Sequence, residues 1–335
     1  MNTLRKKNLL SLVGNTPLIR LNYLSDITRC EILGKAEFLN PGGSVKDRAA
    51  LAIINDAIFS GTLKPGGTII EGTAGNTGIS LTLLGNALGY KTIIVMPDTQ
   101  SEEKRRLLKI LGAKLELVPA APYRNPNNYV RYSEQLSIKL SKDNPSKSVF
   151  WANQFDNVAN LNTHFNTTGP ELWQQTNGDI DGFICAVGSG GTLAGVAKYL
   201  KTKNSDIKIG LSDPFGSALH NFFEKNEMKS DGNSVTEGIG QGRITKNLEG
   251  FVPDYSFKIS DHQAILEIQN TLRSEGLYLG GSSGINIYGA FLLAKKLGPG
   301  HTICTILCDS GQRYESKIWN QKFLQNKKLP IPDWL

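Results

Sequence analysis

Residues 68–97 read TIIEGTAGNTGISLTLLGNALGYKTIIVMP. A short apolar run, Thr68-Ile69-Ile70, meets a Gly-rich turn, then a helical stretch from Ile79 to Leu88, then a second apolar run, Thr92 to Met96, ended by Pro97. Short apolar runs bounded by turn residues read as strands, and the longer patterns between them as helices. A charged helical stretch from about Ser101 to Leu111 and a strand at Leu115 to Val118 continue the series. The resulting order, βαβαβ, implies a parallel sheet with right-handed crossovers.

The same pattern resumes after about residue 180. Phe183 to Val187 is a buried strand, followed by Gly-Ser-Gly-Gly and a helix from about Thr192 to Lys201. Ile207 to Leu211 and Thr302 to Leu307 are further strands. Between the two halves, Ala120 to Asn128 (AAPYRNPNN) is rich in Pro and Asn and reads as a long irregular loop. At roughly 100–200 residues per domain, a chain of 335 residues suggests two domains. Two α/β units that face each other make a cleft, where ligands usually sit.

Composition narrows the function classes. Lys and Arg exceed Asp and Glu by 37 to 30, a net charge of +7 that suits nucleic acid or anionic small molecules equally. The basic residues are spread out, with no aromatic-interleaved stripe and no zinc-finger spacing, which argues against nucleic acid. No Cys-x-x-Cys pair occurs among Cys30, Cys185, Cys304 and Cys308, and no His-Glu-x-x-His, so no metal site is expected. Cys185, Cys304 and Cys308 lie in or beside apolar runs and read as small core hydrophobes. No apolar run approaches the ~20 residues needed to span a bilayer, and the N-terminus lacks a convincing signal peptide. The expectation is a cytoplasmic protein.

Several segments carry chemistry. In NPGGSVKDR (40–48), Pro-Gly-Gly is a turn, Ser44 is a good N-cap, and Asp47 falls near the position of a capping-box acid. Lys46 then lies in the first helical turn, where the helix end disfavours a cation and so favours the free amine of a nucleophile. EGTAGNTG (71–78) places Thr73, Asn76 and Thr77 at a helix N-terminus, with Gly75 and Gly78 allowing close backbone approach to an anion. GSGGT (188–192) also follows a strand and opens a helix, a phosphate cup by composition. It partly matches a dinucleotide fingerprint with Asp213 downstream, but the third glycine should fall at 193, which is Leu193. CDSG (308–311) and NQFDN (153–157) are uninformative alone.

The set in order is far more specific than its members: VGNTPL at 13–18, NPGGSVKDRAA at 40–50, EGTAGNTGI at 71–79, NQFDN at 153–157, TTGPE at 167–171, GSGGT at 188–192 and GSSGIN at 281–286. From about Leu12 to Tyr314 the chain closely resembles the cysteine synthase and cystathionine β-synthase family of pyridoxal phosphate enzymes, which have the tryptophan-synthase-β fold (fold type II). The resemblance implies two three-layer α/β domains with mostly parallel sheets and the cofactor in the cleft between them. The implied domains are residues 1–16 with 40–157, and 17–39 with 158–335, the strand near Thr16–Leu21 crossing into the second.

By the same resemblance, Lys46 is the Schiff-base lysine that also moves the substrate α-proton, Asn76 binds the cofactor ring hydroxyl, and Gly188, Ser189, Gly190, Gly191 and Thr192 cradle its phosphate. Ser310 faces the pyridine nitrogen, where a neutral hydroxyl favours β-elimination over transamination or racemisation. Thr73, Ala74, Asn76, Thr77 and Gln154 hold the amino-acid carboxylate, and Gly238 to Gly240 line the mouth. The implied reaction joins O-acetylserine and sulfide to give cysteine and acetate, in a homodimer open to a serine acetyltransferase partner. The alternatives are cysteine desulfhydration or another β-elimination or β-replacement on a cysteine- or serine-derived substrate, a catalytically idle binding partner, and a nicotinamide oxidoreductase. Two departures bear on substrate choice: the family's TSGNTG loop reads TAGNTG, with Ala74 lacking a hydroxyl, and the 120–130 segment is longer and more polar than usual.

Overall fold

The computed structural model describes residues 8–335. It contains ten strands: β1 (Leu18–Arg20), β2 (Glu31–Ala36), β3 (Thr68–Gly72), β4 (Lys91–Pro97), β5 (Lys114–Val118), β6 (Val149–Trp151), β7 (Gly182–Ala186), β8 (Lys208–Pro214), β9 (Tyr255–Ile259) and β10 (Thr302–Leu307). They form a four-stranded sheet, β5-β4-β3-β6, and a six-stranded sheet, β1-β2-β10-β7-β8-β9. Every pairing is parallel except β1 with β2. The expected α/β class with mostly parallel sheets is therefore the observed one.

Parallel strands covered on both faces need apolar side chains in both directions, and β10 is buried along its whole length. On the four-stranded sheet, Ile69, Leu81 and Leu84 pack with Ile53 and Ile54 in one cluster, while Ile79, Ile94, Met96 and Leu108 form another. Ile184, Ile303 and Leu307 belong to one core of the six-stranded sheet, and Phe183, Cys185, Cys304 and Ile306 to another.

Strand order locates the site. In the small sheet the chain moves from β3 outward to β4 and β5, then returns with β6 on the other side of β3. In the large sheet it moves from β7 to β8 and β9, then returns with β10 on the other side of β7. Each reversal opens a crevice at the carboxyl ends of two neighbouring strands. The loops that leave those ends are 73–75 and 152–157 in one half, and 187–190 and 308–310 in the other.

Local expectations hold with one correction. Ser44 and Asp47 do not form a cap. The Lys46–Phe59 helix starts from Val45 with no side-chain cap hydrogen bond. Ser44 instead bridges to Asp309, and Asp47 accepts hydrogen bonds from the Gly42 N–H and the Ser80 hydroxyl. Tertiary partners have claimed the Ser44 backbone and the Asp47 side chain, and the Ser44 hydroxyl keeps only a 3.3 Å contact with the Lys46 N–H.

Two residues past Lys46 lies a buried charge cluster. Arg48 donates to both oxygens of Glu37, each at 2.8 Å, and to both oxygens of Glu171, each at 2.7 Å. Lys35 reaches Glu171 at 2.7 Å, and Thr16 donates to Glu37 at 2.6 Å. Arg48 and its hydrogen bonds hold the Glu171 carboxyl down at about 2 against the cost of its burial. Removing one partner from such a cluster leaves a buried charge uncompensated. Arg48→Met is expected to lower unfolding stability by about 3–5 kcal/mol, measured from urea denaturation. The Glu171 carboxyl titrates lower in the fold than in the open chain, so its contribution is present above the ordinary Glu range and is lost as pH falls from about 4.5 toward 2. Glu171→Gln should flatten that limb of a stability-versus-pH curve.

Candidate active site

Both crevices open into one cleft of about 640 Å3. Lys46, the first residue of its helix, lines it and is half-buried. A Cβ placed on Gly188 would lie 4.0 Å from Lys46 Nζ and only 2.5 Å from the Gly238 carbonyl oxygen. Gly188 is therefore required by the close approach of the Gly238 backbone beside the amine. The GSGGT turn follows β7 and opens the Gly191–Lys203 helix, with Gly190 at φ +93°. Its carbonyls are taken: Gln241 Nε2 donates to Gly188 O at 2.5 Å and the Thr245 hydroxyl to Ser189 O at 2.8 Å. The N–H groups of a helix's first turn have no partner within the helix, so this turn offers donors to an anion. A Cβ on Gly191 would run into the Asn160 side chain, which itself donates to Ser189 Oγ at 2.7 Å. Such a cradle fits a phosphate.

His164 completes the cradle from behind. Its Nε2 lies 3.1 Å from Thr192 Oγ1 and its Nδ1 2.8 Å from Thr168 Oγ1. It sits in a π-helical turn, His164–Thr168, and burial drives its pKa down to about 3, so the ring is neutral.

Across the cleft, Gly75 at φ +135° turns the chain from β3 into the Asn76–Ala87 helix. Thr73, Ala74, Asn76, Thr77 and Gln154 all line the cleft, as do Ser189, Gly190, Thr192 and Gly238. The Thr77 hydroxyl donates to Gln154 Oε1 at 2.6 Å, and Gln154 Nε2 donates to Glu71 Oε1 at 2.9 Å. Burial pushes the Glu71 carboxyl up to about 8. Asn76 is held at both ends of its amide by the other half of the molecule: it donates to Asp309 and accepts from Arg313, each at 2.6 Å.

Ser310 is not among the residues that line the cleft. It accepts the Gln312 N–H at 3.3 Å and caps the short Gly311–Tyr314 turn. Cys308, two residues earlier, does line the cleft, between Ser283, which accepts its N–H at 2.9 Å, and Asn286 at 3.2 Å. Cys185 also lines it, so two of the cysteines read as core residues belong to the cleft wall. Burial raises the Cys308 thiol to about 11, which keeps it protonated.

The sequence reading missed the network behind the site: Glu71, His164, Asn160, Asp309 and Arg313. Glu71 and Asp309 lie inside the EGTAGNTG and CDSG segments but were given no role there, and His164, Asn160 and Arg313 lie in no run whose pattern announces chemistry. From the unusual 120–130 segment, Tyr129 reaches the cleft, while Tyr123 stacks 4.4 Å from the Arg243 guanidinium. At the mouth, Glu237 accepts from both Lys104 and Lys317, at 2.8 and 2.5 Å.

The comparisons with known proteins agree with this geometry. Residues 9–309 match the family model described as pyridoxal-phosphate dependent enzyme. The chain is 50% identical over 336 residues to Cysteine synthase 1 of Neurospora crassa, covering 98% of this chain and 88% of that protein. Among solved structures it is similar to a hydrogen sulfide-producing enzyme from Fusobacterium nucleatum (TM-score 0.82, 32% identity, 92% of this chain and 99% of that one). It is equally similar to an O-acetylserine dependent cystathionine beta-synthase from Helicobacter pylori (TM-score 0.82, 31% identity, 95% and 99%). A lysine amine beside a glycine-built phosphate cradle, matched along nearly the whole chain, places this protein in the family of pyridoxal-phosphate dependent enzymes.

Proposed function

We propose that this chain is a cysteine synthase, converting O-acetylserine and sulfide to cysteine and acetate. The observation that carries the reading is the juxtaposition of the Lys46 amine with the Gly188–Thr192 cradle on one side and the Thr73–Thr77 turn with Gln154 on the other. The 50% identity to a named cysteine synthase along 98% of the chain supports it.

Bound in the cradle, pyridoxal phosphate supplies an electron sink that acidifies the α-carbon of an amino acid and lets its β-substituent leave. Gly188 to Thr192 would hold the phosphate, and Asn76 would hydrogen-bond the ring hydroxyl. Lys46 Nζ would hold the group and would serve as the base that takes, and then returns, the proton at the substrate α-carbon. Thr73, Ala74, Asn76, Thr77 and Gln154 bind the carboxylate through the helix N-terminus and their own donors. Ala74 still offers its N–H, at a cost of ~1 kcal/mol for the hydroxyl it lacks. Gly238, whose carbonyl abuts Gly188, narrows the entrance and helps exclude water. For Ser310 the assignment opposite the pyridine nitrogen rests on the resemblance alone.

Sheet membership supports dividing the chain into residues 1–16 with 40–157, and 17–39 with 158–335, since β1 and β2 join the sheet of β7 to β10. Among the described residues no helix is long and apolar enough to cross a membrane. A homodimer, a cytoplasmic location and a serine acetyltransferase partner rest on the family resemblance, and light scattering tests the first.

A second reading runs the same site toward cysteine breakdown, and the likeness to a hydrogen sulfide-producing enzyme favours keeping it. The purified protein is expected to show visible cofactor absorbance that Lys46→Ala abolishes. O-acetylserine should change that absorbance and sulfide restore it, with cysteine accumulating. If cysteine alone changes it and pyruvate accumulates while O-acetylserine is inert, the breakdown reading replaces the synthetic one. Thr192→Val, which removes one donor from the cradle, should weaken cofactor affinity about fivefold in equilibrium dialysis, in line with one lost hydrogen bond.

A further inference from the structure

We propose that Glu71 is a positioning residue for the substrate carboxylate, acting by fixing the Gln154 amide in one orientation; this rests on the carboxylate site proposed above. Glu71 lies near the end of β3 and is 1% exposed. Its Oε1 accepts from Gln154 Nε2 at 2.9 Å. Gln154 leaves a tight turn, since Asn153 before it is left-handed at φ +47°. The turn's own carbonyl is held separately, with Asn160 and Asn247 each donating to Gln154 O at 2.9 Å. What remains for Glu71 is the side chain.

A primary amide can sit either way round, and its far neighbour here, the Thr77 hydroxyl, can accept as well as donate. Thr77 alone therefore leaves the amide undecided. The Glu71 oxygen that meets the amide, Oε1, breaks the tie as an acceptor, whether the carboxyl is ionised or, as burial favours, carries its proton on the unpartnered Oε2: the nitrogen must face Glu71 and the oxygen must face Thr77, at 2.6 Å. The second Gln154 N–H is then available to the cleft that this side chain lines. The other Glu71 oxygen, Oε2, has no hydrogen-bond partner among the described residues. A carboxyl buried with one oxygen unmatched costs the fold stability, and an apolar residue would cost less. Its presence points to a task beyond packing.

The test is a double-mutant cycle on the holoenzyme, reading KM for O-acetylserine, KM for sulfide and bound cofactor. Glu71→Met fills the space without an acceptor and should raise KM for O-acetylserine about tenfold, the equivalent of ~1.4 kcal/mol. Cofactor content and KM for sulfide should stay unchanged. Gln154→Ala should do the same, and Glu71→Met should add nothing in the Gln154→Ala background. Glu71→Gln keeps an oxygen for the amide and should remain within about twofold of the parent; this arm decides the matter alone if Glu71→Met does not fold. The inference fails if Glu71→Met leaves KM unchanged while Gln154→Ala raises it, if the two effects multiply, or if Glu71→Gln is as impaired as Gln154→Ala. If Gln154→Ala and Thr77→Val both leave KM for O-acetylserine unchanged, the carboxylate site itself is misplaced and the inference falls with it.

Discussion

The Arg48 guanidinium, held between Glu37 and Glu171, is the constraint on which the placement of the amine depends. A planar fork with donors on two edges can satisfy two carboxylates at once, which a lysine ammonium cannot do in this geometry. Arg48 and Lys35 balance Glu37 and Glu171, so the buried cluster is neutral as a set and unforgiving of any single loss. Arg48 lies two residues from Lys46 on the same helix, while Glu37 follows β2 and Glu171 begins the Gly169–Gln175 helix. The fork therefore fixes where Lys46 emerges relative to the six-stranded half. It also explains motifs that never touch the cleft: Thr16 in VGNTPL, Asn40 in NPGG and Glu171 in TTGPE all serve this one cluster.

Around that anchor the chemistry assembles by a topological rule applied twice. Each parallel sheet reverses its strand order once, and each reversal opens a crevice where two βα loops diverge. One crevice presents a helix N-terminus suited to a carboxylate, the other a glycine turn suited to a phosphate. Both ends of one amino acid–cofactor pair can thus be met by backbone donors, with few charged side chains spent on recognition.

Much of this was legible in the sequence. The strands of the βαβαβ series and β10 were readable because strands buried on both faces leave apolar runs between turn residues, and the glycine turns because few other residues permit such backbones. β6 and β9 were not readable: they are short or only half-buried, and carry no such run. The first-rank site residues came from the motif set, since Lys46, Thr73 to Thr77, Gln154 and four of the five GSGGT residues, all but Gly191, line the cleft. The residues behind them stayed hidden because their partners are distant in the chain. Glu71 and Gln154 are 83 positions apart, and Asn76 and Asp309 are 233. Only the folded chain brings such pairs together. Cys308 was misplaced for a related reason: an apolar strand end reads as core until the crevice beside it is known.

Asn76 carries a last consequence. It opens a helix at the cleft wall, yet its amide is tied at both ends to Asp309 and Arg313 on the far side of the cleft, and Arg313 also donates to the Gly42 carbonyl beside the turn that leads to Lys46. The two halves are therefore stitched together at a loop that lines the cleft. They cannot slide or part without dragging that loop, and any ligand that shifts Asn76 pulls on the turn leading to Lys46. Occupancy of the cleft and alignment of its reactive amine thus become a single mechanical variable.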